Sequence, residues 1–158
     1  MVDLRKSMAR VMTAHPLILT TSYLLLLMNL LYSNQTNSKI DKRIFTLLKI
    51  KISKPISLTI ISDAEIKKIN KKYRGKNTPT DVISFVYKET EKFPGEEMLG
   101  EIYISIDTAK KQAKEQKHSL KHELQFLFVH GVLHLLGYTH ETEEKYEKMM
   151  AKAKKIIG

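Results

Sequence analysis

The stretch His130-Gly-Val-Leu-His134-Leu-Leu-Gly137-Tyr-Thr-His140 decides how this chain is read. On a helix, His130 and His134 project from one face, one turn apart, with an axial rise of about 6 Å. Gly137 can take a left-handed conformation and stop the helix at once. The chain then turns, and His140 returns as a third nitrogen. The pattern H-x3-H-x5-H, with a glycine at the turn, therefore reads as three metal ligands: His130, His134 and His140.

The donor set says more. Structural zinc sites are usually closed by four ligands, often thiolates, and this chain has no cysteine. Three imidazoles leave a position open for water or substrate, and zinc would bring the pKa of such a water to about 7. Imidazoles also suit iron, copper and nickel; one Zn2+ per chain is the expectation. A carboxylate from Glu141, Glu143 or Glu144 would close the site. His118 and His122 repeat the four-residue spacing, but among Lys117 and Lys121 and without a turn or third ligand. They read as a solvated face.

One position separates reaction classes. The zinc peptidase helix carries H-E-x-x-H, with the glutamate as general base. Here that position is Gly131, so peptide hydrolysis by that route lacks its base. A phosphodiester needs such a base less, because it brings anionic oxygens to the metal and chiefly needs its charge stabilised.

Cations follow the same logic. Asn70-Lys-Lys-Tyr-Arg-Gly-Lys-Asn77 concentrates positive charge at a helix end and turn. Arg74 offers a bidentate fork suited to phosphate. Lys71, Lys72, Tyr73 and Lys76 are candidate RNA contacts, and Tyr73 and Tyr87 could stack on unpaired bases. For Lys67, Lys68, Lys71 and Lys72, a solvated helix face is the plainer reading. Over all 158 residues, Lys+Arg is 27 against Asp+Glu 17, a net charge of +10. That balance suits a polyanion, either nucleic acid or an anionic membrane face. The length suits one domain, and 42% apolar with 28% charged residues excludes a disordered chain. The lack of cysteine excludes disulfide scaffolds, thiolate zinc fingers and cysteine nucleophiles, and fits a reducing, cytoplasmic setting.

The N-terminus does not match the rest. Val11 to Ser38 holds no charged residue, and its densest apolar part, Pro16–Tyr32, follows Arg5, Lys6 and Arg10. That order reads as a signal anchor or short membrane helix. The competing reading starts translation at Met28. Losing residues 1–27 removes Arg5, Lys6, Arg10 and Asp3, so the net charge falls by only two. The basic character belongs to residues 28–158.

From there the pattern is mixed. Strands are predicted at Asn29–Ser33, Ile56–Ile61, Asp81–Tyr87 and Leu99–Ile106. Helices are predicted at Lys39–Ile50, from the capping box Ser62-Asp-Ala-Glu65 to Tyr73, from an Asp107 cap to Lys117, from a Ser119 cap to Leu136, and over Thr142–Ile157. A polar loop covers Lys88–Glu97. Three or four strands with about five helices indicate an α+β domain.

Three blocks are similar to the YbeY family of metal-dependent bacterial endoribonucleases. The histidine segment resembles H-G-x-L-H-L-x-G-Y-D-H. Tyr73-Arg-Gly-Lys-Asn-Thr-Pro-Thr-Asp-Val-Ile-Ser-Phe85 resembles Y-R-G-K-D-x-P-T-D-V-L-S-F. Leu99-Gly-Glu-Ile-Tyr-Ile-Ser105 resembles L-G-D-I-x-I-S. Order and spacing agree over roughly Asn29–Ile157. The resemblance implies a zincin-like single α+β domain, with the histidine helix near a four-stranded mixed sheet. It implies zinc on His130, His134 and His140, and Arg74 in RNA handling as the candidate catalytic residue outside the histidines. It implies single-strand-specific cleavage of ribosomal RNA precursors on the small ribosomal subunit, in 16S 3′-end maturation and ribosome quality control. Thr139 stands in place of the family's aspartate, Asn77 in place of another, and Val86 in place of its proline; Glu101 and Ile83 are milder departures. The rival readings are a non-catalytic RNA-binding assembly factor with a structural metal and a hydrolase anchored in the membrane through residues 16–32.

Overall fold

Short apolar strands rich in isoleucine, valine and leucine build the sheet. The computed structural model describes residues 29–87 and 98–158. The leader Met1–Leu27 and the polar loop Lys88–Glu97 lie outside them. The elements are β1 (Leu30–Asn34), α1 (Arg43–Thr46), β2 (Ile56–Ile61), α2 (Asp63–Arg74), β3 (Val82–Val86), β4 (Gly100–Ser105), α3 (Ile106–Glu115), α4 (Leu120–Leu135) and α5 (Glu143–Ile157). The strand order is β1-β2-β4-β3, with β3 antiparallel to β4 and the other pairs parallel. The mixed four-stranded α+β architecture is the expected one.

Each sheet face has its own helices. Ile56, Leu58 and Ile60 of β2 and Ile102 and Ile104 of β4 are fully buried, packed with residues of α1, α3, α4 and α5. Each such side chain contributes about 1.5–3 kcal/mol relative to exposure. The opposite face carries a smaller cluster, in which Ile66 of α2 packs on Ile61 and Ile83. Helix α4 thus covers one face and α2 the other, with β3 at the sheet edge between them. Among the described residues no helix is long and apolar enough to cross a membrane.

The helix starts follow their caps, with one change of residue. Ser62 and Glu65 form both bonds of the capping box. Ser119 caps α4 as expected, and Thr142, read as the start of the last helix, is the cap of α5. The cap of α3 is Ser105, not Asp107. Asp107 instead accepts a bond from the Asp63 backbone N–H at 2.9 Å, tying the first turns of α2 and α3 together.

The helix expected over Lys39–Ile50 shrinks to Arg43–Thr46. Asp41 accepts from the Arg43 backbone N–H at 2.9 Å, and the Gln125 amide donates to the Ile44 carbonyl at 2.7 Å. Ile50 and Ile52 are both buried while Lys49 and Lys51 are exposed. That period of two suits extended chain, and tertiary burial outweighs local helix preference.

Candidate metal centre

Helix α4 has to lie close to the sheet, and Gly131 permits it. A Cβ on Gly131 would sit 2.9 Å from Ile102 Cγ2. The position that carries the base in zinc peptidases therefore faces packed sheet, with no room for a side chain. His130 and His134, on the half-buried side of the same helix, face a cleft of about 710 Å³.

The helix ends in a Schellman motif. The Gly137 N–H donates to the His134 carbonyl and the Tyr138 N–H to the Leu133 carbonyl, both at 3.0 Å. Gly137 has φ +87°, a left-handed conformation that glycine adopts at little cost. This turn carries His140 back over the helix. One nitrogen from each of His130, His134 and His140 lies within 4.8 Å of the others. The sequence-predicted ligands converge.

The imidazoles are prepared for a cation. His134 Nδ1 lies 3.0 Å from the Tyr138 carbonyl, which can only accept, so Nδ1 carries the proton and Nε2 presents a lone pair. His134 Nε2 is 3.0 Å from His130 Nε2. Burial, then the neighbouring histidines, pushes His130 down to about 4. Burial, then His140 and more weakly Arg74, also lowers His134. These two rings are neutral at pH 7, the form that binds metal. His130 Nδ1 is buried without a hydrogen-bond partner. Three converging nitrogens, with no carboxylate among them, fit a cation of borderline softness.

The proposed fourth ligands do not join. Among the described residues, the metal-competent group contains the three histidines alone. Glu141 lines the cleft but accepts from Lys145 at 3.3 Å, and Glu144 pairs with Lys148 at 2.5 Å. The donor set stays open.

Arg74 reaches the same cleft from the other face of the sheet. It is the last residue of α2, and Gly75, at φ +71°, turns the chain there. Asn70 holds the turn: it is 2% exposed, and its amide donates to the Thr78 carbonyl at 2.8 Å. Sequence reasoning passed over Asn70. The signal was its spacing, four residues after the inward Ile66 in a run of lysines. Lys72 and Tyr73 line a neighbouring groove, whereas Lys71 and Lys76 line neither hollow.

Asp81 is the other residue that sequence reasoning left without a role. It lines the histidine cleft. Its Oδ1 accepts from the Val82 N–H at 2.8 Å and from Thr80 at 3.1 Å, and its Oδ2 accepts from Gln112 at 3.0 Å. The carboxylate is held rigidly, with both oxygens engaged.

His118 departs from the solvated-face reading. Its Nε2 lies 2.9 Å from Glu123 Oε2, and Glu123 is 5% exposed. Burial raises the Glu123 carboxyl and His118 opposes that rise. His118 lies just before the Ser119 cap and Glu123 in the first turn of α4, and both line a second hollow that meets the histidine cleft at Asp81.

Comparison with known proteins agrees with this geometry. The family model described as Endoribonuclease YbeY matches residues 28–158. This chain belongs to the YbeY family. It is 52% identical over 110 residues to the Endoribonuclease YbeY of Bacillus licheniformis, spanning 65% of this chain and 70% of that protein. It is 50% identical over 109 residues to the Bacillus subtilis YbeY, spanning 65% and 69%. The solution structure of TM1509 from Thermotoga maritima matches with a TM-score of 0.52 at 25% identity, over 80% of this chain and 88% of that one. YbeY membership places the chain among RNA-cleaving hydrolases, and the three histidines are a group that could hold the metal ion of that family.

Proposed function

We propose that residues 28–158 form a zinc-dependent endoribonuclease domain that cuts single-stranded RNA. Its proposed substrates are ribosomal RNA precursors on the small ribosomal subunit, in the cytoplasm, including the 3′ end of 16S RNA and defective ribosomes. The observation that carries this reading is one cleft containing three converging histidine nitrogens, two of them on rings held neutral by burial, with an arginine beside them. The 16S and quality-control roles rest on family resemblance.

His130, His134 and His140 would hold the ion. When bound, it supplies a positive charge that polarises a phosphate oxygen or acidifies a water in the cleft. The chain's own groups do the rest. The Arg74 guanidinium grips non-bridging oxygens of the scissile phosphate and offsets charge that grows there. The Tyr138 carbonyl keeps the His134 ring in one tautomer. Asp81, with both oxygens accepting from neighbouring donors, stiffens the cleft wall. Gly131 supplies no base.

The test uses the full chain with its zinc content measured. Wild type, His134→Ala and Arg74→Ala are assayed on a single-stranded RNA and on a duplex of the same sequence, with and without chelator. The expected result is chelator-sensitive cutting of the single strand, lost in both variants, with zinc lost only in His134→Ala. RNA binding without cutting by the zinc-loaded wild type would turn the reading to a binding protein.

A further inference from the structure

Phe85 and Val86 line two hollows. One is the histidine cleft, and the other is a groove of about 620 Å³ on the α2 side of β3. The groove is also lined by Tyr73, Tyr103 and Glu101, with Lys68 and Lys72. We propose that this groove is a nucleobase subsite. It takes one unpaired base of the RNA whose phosphate lies in the histidine cleft, and Glu101 selects a base that presents N–H donors, guanine above all. The proposal rests on the nuclease reading and extends it to sequence preference.

The walls are aromatic. Tyr73 meets Phe85 edge-on at 5.0 Å between centroids, and Phe85 meets Tyr103 edge-on at 6.1 Å. Tyr73 is nevertheless 59% exposed, an unusual state for a large ring already packed on one side. The Lys72 ammonium covers it at 4.9 Å from the centroid. An incoming base stacks on the ring in place of Lys72, and the ammonium moves to a flanking phosphate. Every base has a π-face, so stacking supplies affinity without choice.

Glu101 supplies the choice. Its Oε2 accepts from the Tyr103 O–H at 2.9 Å. Burial first, then the Glu101 carboxylate, pushes Tyr103 up to about 12, so that hydroxyl remains a donor and pins the carboxylate in place. A carboxylate repels phosphate, so the nucleic-acid backbone does not run through this part of the groove. It accepts N–H groups instead. Guanine offers two adjacent donors on its Watson–Crick edge. Adenine and cytosine offer one donor beside an acceptor, and uracil offers one between two acceptors. Continuity through Phe85 and Val86 puts the base next to the phosphate held by Arg74.

The experiment maps cut sites of the zinc-loaded full chain on a pool of single-stranded RNAs of random sequence. Wild type is expected to show guanine enriched at one fixed distance from the cut. Glu101→Gln is expected to keep cutting and lose that enrichment. Tyr73→Leu is expected to raise KM about tenfold with a smaller change in kcat, because it removes a stacking partner. Should Glu101→Gln fail to fold, Tyr103→Phe releases the carboxylate and is expected to weaken the enrichment. Cutting with no base preference, or a preference that survives in the folded Glu101 or Tyr103 variant, overturns the subsite and leaves the nuclease standing. No cutting by the wild type at all overturns both.

Discussion

Gly131 on α4 meets Ile102 on β4 so closely that even a methyl group would sit 2.9 Å from Ile102 Cγ2. Ile102 is fully buried in the middle of the sheet and cannot swing aside. Gly131→Ala gains about 1 kcal/mol of helix preference but overpacks the core by about 1–3 kcal/mol. A net loss of stability is expected. Gly131→Glu, which restores the peptidase motif on paper, is expected to destabilise severely and to give no peptidase. Urea unfolding and a peptide-cleavage assay check both.

Removing a ligand and acidifying the protein act on the same nitrogens. An unfolded histidine gains its proton near pH 6.5. His130 in the folded, metal-free protein gains it only near 4. Between those values the unfolded chain binds more protons, so stability falls as pH falls. The metal-free protein should lose stability from about pH 6.5 toward 4 on this account, and His130→Asn should flatten the loss. Denaturant unfolding of both proteins at several pH values measures it; parallel curves would contradict the burial argument.

Arg74 ends an exposed helix turn and has little to do with stability. Arg74→Ala is expected to reduce RNA cleavage at least about a hundredfold, the scale of losing one charge-stabilising donor. Its thermal midpoint and metal content should match wild type. Arg74→Lys should recover only part of the activity, since a point charge does not replace a bidentate fork. Full activity in Arg74→Lys would mean that charge alone suffices.

Asn70 connects the packed side of α2 to the turn that presents Arg74. Asn70→Leu leaves the Thr78 carbonyl without its donor and is expected to cost about 0.5–1.5 kcal/mol. Cleavage should fall with the metal site intact. Unchanged RNA cleavage in a folded Asn70→Leu protein would show that the turn holds its shape without this bond.

Gly137 sets where His140 returns. At φ +87° a side chain costs about 1–2 kcal/mol, although nothing would touch its Cβ. Gly137→Ala should also lower metal affinity, because it disturbs the turn that returns His140. Competitive metal titration beside thermal unfolding separates the two effects.

Much of this was legible from residue order alone, where physics is local. The capping box at Ser62 and Glu65, the left-handed Gly75 and Gly137, and the histidine spacing each need only a few neighbouring residues. The strand β2 declared itself by an apolar β-branched run, and β4 by alternating isoleucines. The Lys39–Ile50 segment misled because its apolar spacing suited a helix, while partners far along the chain, Gln125 among them, hold its backbone otherwise. His118 misled for the same reason. Its lysine neighbours indicated solvent, and the buried Glu123 became its partner only once α4 had packed.

Sequence by itself determined the donor set: three imidazoles, no thiolate, and a glycine where a peptidase has its base. These are facts of residue type and spacing, and no folding can add a nucleophile or remove a histidine. Tertiary structure alone decided what stands around them. Arg74 ends a helix on one face of the sheet, His130 and His134 lie on a helix on the other, and they line one cleft because β3 is the edge strand. The emptiness at Gly131 is filled by Ile102, and Asp81 accepts from Thr80, Val82 and the distant Gln112. Such relations are distances between segments far apart in the chain, set by packing that no local pattern encodes.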